Sequence, residues 1–381
     1  MKLFNTIEKA TFLSRPNRFI LVCDLKGRRI KAYLPNPGRL WELLLPKVTV
    51  YLEKSENKEG QLPYTVVAVE GKGHPVMLHT HKTNDAVQSL IEKGLAPGLE
   101  GYSIVKREYT VGRSRFDFLL QKGPHEILLE VKSCSLFSKK VAMFPDAITD
   151  RGKRHIEELA HLSNEKRSTM VLFLVNSPDV DFFLPEYHTD LKFAQTLLAS
   201  RRAVKIMPLA VKWNDDLSMS ADVKQLEIPW HIVEKEAHDK GSYLIILRLD
   251  EDCSIEIGAL GMIAFKKGYY IYVGSAMIAL TKRIERHKRL RKQMHWHIDY
   301  FRAKAGFHAA LPIRSHSNME CEIAAGIKEI SKGEIKGFGA SDCNCASHLY
   351  VMNEDPLSLE KFHDFLQYYR MDRLFECAED F

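Results

Sequence analysis

One stretch constrains this chain more than any other. Between Arg115 and Lys132, two apolar-rich runs flank a Gly123-Pro124 break: Arg115-Phe116-Asp117-Phe118-Leu119-Leu120 and Glu126-Ile127-Leu128-Leu129-Glu130-Val131-Lys132. Gly and Pro between runs of this kind mark a hairpin. Strand side chains alternate between faces. Glu130 and Lys132 are therefore expected on one face, with Val131 on the other. By the same rule Arg115 and Asp117 share a face, and Phe116 and Phe118 share the opposite one. Pairing the strands sets Asp117 beside Glu130 and Lys132. Carboxylate oxygens are hard ligands that suit Mg²⁺ or Mn²⁺, and an ammonium beside them can orient a water or offset charge on a phosphate. Asp117 and Glu130 are the candidate metal ligands. An ordinary solvated hairpin face would carry the same spacing, so the neighbouring sequence has to decide. Glu108 is a further acid within reach, which the spacing does not require.

Upstream, short β runs (Phe19–Cys23, Arg29–Leu34, Lys47–Leu52, Tyr64–Val69) punctuated by Gly and Pro predict a small barrel. A barrel of the OB type binds single strands through a basic groove and aromatic platforms. Arg15, Arg18, Arg28, Arg39, Tyr33 and Trp41 are available for that, although core packing and solvation account equally well for each one alone. A helix is expected over Thr83–Lys93, capped by Thr83 or Asn84. Strands follow at Ser103–Val111, at the hairpin and near Lys139–Met143. After them come a helix from about Arg151 to His161, the apolar strand Thr169–Val175, a helix at Leu191–Arg201 and the strand Val204–Val211. This order predicts a mixed α/β sheet. Arg151, Lys153 and Arg154 open a helix, where a phosphate is readily bound, although simple surface charge accounts for them equally well, and His155 reads as a packed or solvated side chain.

Several of these segments together resemble the sugar fermentation stimulation protein family, SfsA. They are Leu34-Pro35-Asn36-Pro37-Gly38-Arg39-Leu40, Gly112-Arg113-Ser114-Arg115-Phe116-Asp117-Phe118, Glu130-Val131-Lys132-Ser133, and the run from Phe144-Pro145-Asp146 through Thr149-Asp150-Arg151-Gly152-Lys153-Arg154-His155. The resemblance covers about the first 225 residues. It implies an OB-fold joined to a restriction-endonuclease-like core of the PD-(D/E)xK class, with DNA or RNA as substrate. Asp117 and Glu130 would then hold Mg²⁺ or Mn²⁺, and Lys132 would position water or stabilise charge. Arg39, Arg113, Arg115, Arg151, Lys153 and Arg154 are the candidate nucleic-acid contacts.

The last third is similar to the GIY-YIG nucleases and to a related uncharacterised family. The residues that carry this are Gly241-Ser242-Tyr243, Tyr272-Val273-Gly274, Arg283, His287, His295-Trp296-His297-Ile298-Asp299-Tyr300, Glu320-Cys321-Glu322 and the run Gly337 to Leu349. The resemblance implies Tyr243 and Tyr272 as base or water-orienting groups, Arg283 as a phosphate clamp and His287 as a polar helper. Glu320 would be the metal ligand, with Glu322 as the alternative. Tyr243 and Tyr272 lie further apart than a simple hairpin allows, which implies an insertion. Cys343-x-Cys345-x-x-His348, with Cys321 and the histidines of the Trp296 motif (His295 and His297), offers zinc-type ligands, but the tight Cys-x-Cys spacing favours packed, reduced cysteines over Zn²⁺.

The chain of 381 residues is too long for one typical domain. The expected architecture is an α/β multi-domain protein. Its parts are an OB-like β-barrel (1–80), a PD-(D/E)xK-like α/β core (81–225), a polar linker (226–240), a GIY-YIG-like α/β domain (241–355) and a C-terminal helix (356–381). Net charge of +6 is compatible with a nucleic-acid partner. Seven scattered cysteines point to a reducing, cytoplasmic setting. The N-terminus does not read as a signal peptide, and no run approaches the roughly 18 apolar residues of a membrane helix. The functional expectation is a metal-dependent nuclease. The rival is a non-cleaving DNA-binding regulator linked to sugar metabolism, and a third reading makes the last domain a docking module.

Overall fold

The computed structural model describes residues 2–55, 62–112 and 114–376. The chain forms two compact units, one of Met1–Glu186 with Lys192–Val233 and one of Tyr187–Leu191 with Glu234–Phe381.

In the first unit, β1 (Ile7–Asn17), β2 (Ile20–Leu25), β3 (Arg28–Tyr33), β4 (Thr49–Lys54), β5 (Tyr64–Glu70) and β6 (Pro75–Met77) follow one another. The sheet order is β3-β2-β1-β4-β5-β6, and a parallel bridge from Tyr33 to Thr65 closes the first five strands into a barrel. Lys26 and Gly27 both have positive φ (55° and 82°), the geometry of a two-residue hairpin turn. Next come α1 (Thr83–Glu92), β7 (Ser103–Val111), β8 (Ser114–Lys122), β9 (His125–Cys134), β10 (Leu136–Phe137), β11 (Val141–Phe144) and α2 (Asp150–Leu162). They are followed by β12 (Arg167–Val175), β13 (Phe182–Pro185), α3 (Leu191–Ser200), β14 (Val204–Trp213), β15 (Met219–Gln225) and α4 (Trp230–Glu236). Six strands form one mixed sheet in the order β15-β14-β12-β9-β8-β7, with β9, β12 and β14 parallel. Strand β12 is buried on both faces, as a central parallel strand must be. Val171, Phe173 and Val175 enter one apolar cluster, and Met170, Leu172 and Leu174 enter the other.

The expected hairpin is present. Lys122 pairs with His125 across Gly123 (φ 57°) and Pro124. One detail of the alternation is corrected. Phe116 joins the cluster of Leu128 and Phe173, whereas Phe118 joins that of Leu129 and Leu172, on the opposite face. Regular pairing of β8 with β9 ends at Phe118–Leu129. Beyond it the Asp117 carboxylate, rather than a backbone carbonyl, takes the Val131 N–H. On the neighbouring strand, Glu108 has φ 51°. Among the described residues, the only register shift of β7 against β8 lies further along, between Ile104 and Lys106, so the period of two fails at the point where the β8–β9 ladder stops.

The expected linker is also corrected. Within 226–240, residues 230–236 form α4, with Val233, Glu236 and Ala237 buried. The polar composition of β15, just before this stretch, reflects an edge strand open to water on one side.

The second unit contains β16 (Gly241–Leu249), β17 (Cys253–Glu256), β18 (Met262–Phe265), β19 (Gly268–Ala276), α5 (Leu280–Lys288) and α6 (His297–Arg302). Then come β20 (Gly306–Arg314), α7 (Glu320–Ile330), β21 (Gly333–Glu334), β22 (Leu349–Met352) and α8 (Glu360–Arg370). Its antiparallel sheet has the order β20-β16-β19-β22-β21. The implied insertion is the β17–β18 hairpin. Helix α8 is part of this unit's packing: Phe365 lies against Gly326 of α7, where an added Cβ would meet its ring at 2.6 Å. Among the described residues, no helix is long and apolar enough to cross a membrane.

Candidate functional site

The first site lies where β8 and β9 part. Asp117 Oδ1 accepts from Asn84 Nδ2 (2.7 Å) and Oδ2 from the Val131 amide (2.7 Å). Glu130 Oε1 receives Lys132 Nζ at 2.5 Å and His155 Nδ1 at 2.6 Å. Glu130 and His155 are both buried. Burial and the charge of Glu130 raise the Asp117 pKa. Burial also works against the Glu130 anion, but the His155 hydrogen bond and the charge of Lys132 outweigh it and hold that carboxyl below its ordinary value. The two acids thus sit in opposed environments within one site. A cleft of about 410 Å³ opens beside them, lined among others by Asn84, Lys132, Pro145, Asp146 and the exposed Arg18 and Arg151.

Two of these partners were not foreseen. Asn84 does not cap α1, since the N-cap is Lys82 and its side chain makes no capping bond. Its amide reaches Asp117 instead. His155 is neither simply packed nor solvated but anchors Glu130. The only local signals are an amide in a first turn without capping duty and a histidine on the buried stripe of α2.

The basic candidates divide by partner. Arg151 is exposed on the cleft. Lys153 and Arg154 pair along α2 with Glu157 (3.6 Å) and Glu158 (3.9 Å). Arg115 pairs with Glu108 at 3.4 Å, both exposed, so Glu108 is engaged there rather than at the carboxylate site. Arg39 donates from Nε to the Asp146 carbonyl (2.6 Å) and stacks on Trp41 at 4.9 Å. Leu40 N donates to Asp146 Oδ2 at 2.7 Å. A Cβ at Gly38 would meet that same oxygen at 2.8 Å. Arg39 is thus a clamp that seats the barrel's 34–40 loop on Asp146. Arg113 lies outside the described residues.

The second site is in the second unit. Tyr243 on β16 and Tyr272 on β19 have ring centroids 6.5 Å apart. Gly274 permits this, because a Cβ there would lie 2.5 Å from the Tyr243 ring. Tyr243 Oη is 2.9 Å from His287 Nε2. Arg283 and His287 share a face of α5, and both meet Trp296, the guanidinium at 4.4 Å and the imidazole at 5.5 Å between centroids. Burial pushes both phenols up and pushes His287 down to about 3, so the tyrosines are phenols and the imidazole is neutral near pH 7. Glu320 accepts from Ser275 Oγ and contacts His348 Nδ1 at 3.0 Å. Tyr243, Tyr272, Arg283 and Glu320 line one pocket of about 230 Å³. Glu322 is exposed on α7 and does not line it. Asp299, quoted only as part of a motif, is a buried hub that accepts from Arg286, Lys292 and the amides of His295 and Trp296.

Fold and site together define a class: an OB-like barrel leading into a mixed α/β sheet that sets the half-buried Asp117 near the buried Glu130, followed by a separate α/β unit. Residues 13–78 match the SfsA N-terminal OB domain, and residues 81–216 match the sugar fermentation stimulation protein RE domain. Residues 242–371 match DUF123, a domain of unknown function related to the GIY-YIG family. The sugar fermentation stimulation protein homologue of Methanothermobacter thermautotrophicus is 35% identical over 225 residues, which are 58% of this chain and 93% of the relative. That of Methanosphaera stadtmanae is 40% identical over 206 residues, 52% of this chain and 85% of the relative. The solved structure of Pyrococcus furiosus SfsA in complex with Ca²⁺ superposes with a TM-score of 0.55 at 32% identity, covering 60% of this chain and 99% of that one. The chain belongs to the sugar fermentation stimulation protein family, and it carries the DUF123 unit in addition to the part those relatives match.

Proposed function

We propose that the first unit is a divalent-metal-dependent nuclease that hydrolyses phosphodiester bonds in DNA or RNA. The observation that carries this reading is the convergence of Asp117, Glu130 and Lys132 beside a cleft with exposed Arg18 and Arg151. Buried acids next to a phosphate path would repel a purely bound nucleic acid, so a cation gives them a purpose. The donor set fits Mg²⁺ or Mn²⁺. Both ligand groups are carboxylates, and each Asp117 oxygen makes one hydrogen bond, with lone-pair capacity left over. The Ca²⁺ in the Pyrococcus furiosus relative supports a divalent cation in this unit.

Asp117 and Glu130 would hold the ion, which when bound supplies Lewis acidity and positive charge beside the scissile phosphate. Asn84 and the Val131 amide keep Asp117 oriented, and His155 does the same for Glu130. The Lys132 ammonium, which contacts Glu130, would orient the attacking water and offset charge developing on the phosphate oxygens. Arg151, in the first turn of α2, offers a contact to the nucleic-acid backbone. The second pocket supports a further phosphodiester site of GIY-YIG type. There Arg283 would face the phosphate, Tyr243 and Tyr272 would orient water with His287 behind them, and Glu320 would hold a metal.

Cleavage of labelled single- and double-stranded DNA and RNA with Mg²⁺, Mn²⁺ or EDTA tests both centres. Wild type is run beside Asp117→Ala and Tyr272→Phe. Metal-dependent cleavage that falls at least 100-fold in Asp117→Ala, in the range expected when a catalytic group is lost, supports the first centre. Loss only in Tyr272→Phe moves the chemistry to the second. Salt-sensitive binding without cleavage of any substrate replaces the nuclease with the non-cleaving DNA-binding regulator.

A further inference from the structure

The second unit also gathers a set of side chains that the pocket chemistry does not use. Cys321 stands in the first turn of α7. Cys343, Cys345 and His348 lie on the chain that leads from β21 into β22. One ligand atom from each comes within 4.8 Å of all the others. We propose that these four residues hold a structural Zn²⁺ ion. Sequence spacing favoured packed cysteines because Cys343-x-Cys345 is tight for a finger. In the fold, the other two ligands come from α7 and from the residue just before β22, so the short pair has to supply only one edge of a tetrahedron.

The geometry matches zinc. Tetrahedral coordination with Zn–S near 2.3 Å and Zn–N near 2.0–2.1 Å requires sulfur–nitrogen edges of about 3.6 Å and sulfur–sulfur edges of about 3.8 Å. Cys343 Sγ lies 3.5 Å from His348 Nε2. The ring is aimed by its other nitrogen, since Nδ1 meets Glu320 Oε1 at 3.0 Å. That contact puts the proton on Nδ1 and turns the Nε2 lone pair toward the thiols, as a carboxylate–histidine–zinc arrangement does. His348 is buried, so its orientation is fixed by packing as well. The set contains no carboxylate, which argues against Mg²⁺ or Ca²⁺. Three thiols and one imidazole close the coordination sphere and leave no open position, so the role is structural.

The site also bears on the neighbouring pocket. Gly339, Ser341 and Asp342, from the same loop, line that pocket together with Glu320. The ion would tie this loop to α7 and fix the carboxylate that His348 and Ser275 share. The site stands whether or not the pocket is catalytic.

The test uses the full-length chain, produced in zinc-supplemented medium and purified without chelator. Its readouts are elemental analysis, zinc release on titration with an organomercurial, and the absorption spectrum after Co²⁺ exchange. The expected result is one zinc per chain, released as thiols are blocked, and a cobalt form with intense tetrahedral bands and thiolate-to-metal charge transfer. Zinc content is expected to fall at least tenfold in Cys343→Ser and Cys345→Ser and to stay unchanged in Cys253→Ser and Asp117→Ala. The wild-type measurements need no variant to fold. A zinc-free chain without a thiolate–cobalt spectrum overturns the site. So does zinc that survives Cys343→Ser with Cys345→Ser, or a purified chain lighter by two hydrogens through a disulfide within the cluster.

Discussion

At the residue scale, the first site is held in tension between Asp117 and Glu130. His155 and Lys132 favour the Glu130 anion, whereas burial and Glu130 itself disfavour the Asp117 anion. The sign follows directly. A carboxyl whose pKa is raised on folding is costly when ionised, so Asp117 takes away stability once pH rises above the ordinary carboxylate range. Asp117→Asn removes that charge and keeps the shape. An asparagine oxygen still accepts the Val131 amide, and Asn84 can turn its own amide over to match the new NH₂. The metal-free variant is therefore expected to be more stable than wild type at pH 7, by about 1 kcal/mol, the common size of such gains where function is given up. It should also lose stabilisation by Mn²⁺. Thermal unfolding in EDTA and in Mn²⁺ checks both halves, and a variant less stable in EDTA would refute the repulsion between the acids. Asp117, Glu130 and Lys132 were legible because two strands and a turn bring them together locally. Asn84 and His155 come from α1 and α2, and no local period announces which helix residue will reach a strand.

At the element scale, Asp299 ties α5 to α6. Its carboxylate, fully buried, takes Arg286 at 3.0 and 2.9 Å, Lys292 at 2.8 Å and two backbone amides at 3.1 Å. Burial opposes the anion, but these donors win and hold its pKa at about 2, below the ordinary 3.8. A depressed carboxylate stabilises the fold above its unfolded value, and that contribution is lost as pH falls from about 3.8 towards about 2. Asp299→Ala leaves Lys292 and Arg286 without their acceptor and is expected to cost about 3–5 kcal/mol, the range for breaking a buried ion pair. Urea unfolding followed at pH 7 and pH 3 measures it. The variant should narrow its gap to wild type at pH 3, and an equal gap at both pH values would contradict the account. The sequence marked His295 to Tyr300 only as a motif, because burial of an acid is decided by what folds around it. The same limit explains the linker. A polar run reads alike whether it is unstructured or, like α4, a short helix with one buried side. The end of the β8–β9 ladder at Phe118–Leu129 has no composition signature either, so strict alternation puts Phe116 and Phe118 on one face.

At the scale of the whole molecule, two compact units share one chain but carry different donor sets. The first offers carboxylates to a hard cation, and the second gathers thiols and an imidazole suited to a soft one. Relatives matched over 93% and 99% of their own lengths lack the second unit, so the first unit's core does not depend on it, and the second unit packs its own apolar cluster. Unfolding of the full chain is therefore expected in two calorimetric transitions rather than one. A ligand that binds only the folded form stabilises by RT ln(1 + [L]/Kd), about 2.7 kcal/mol at one hundred times Kd. Saturating Mn²⁺ should move the first unit's transition upward, with any shift of the other coming from binding at Glu320, and Asp117→Ala should abolish the first unit's shift alone. A zinc chelator should lower the other transition alone, and Cys343→Ser should reproduce the lowering without chelator. The cross-pattern carries the argument. Mn²⁺ shifting only the transition that Cys343→Ser lowers, and not the other, would mean that the carboxylate site of the first unit binds no hard cation. A single transition that answers to both ligands would mean that the chain unfolds as one cooperative body.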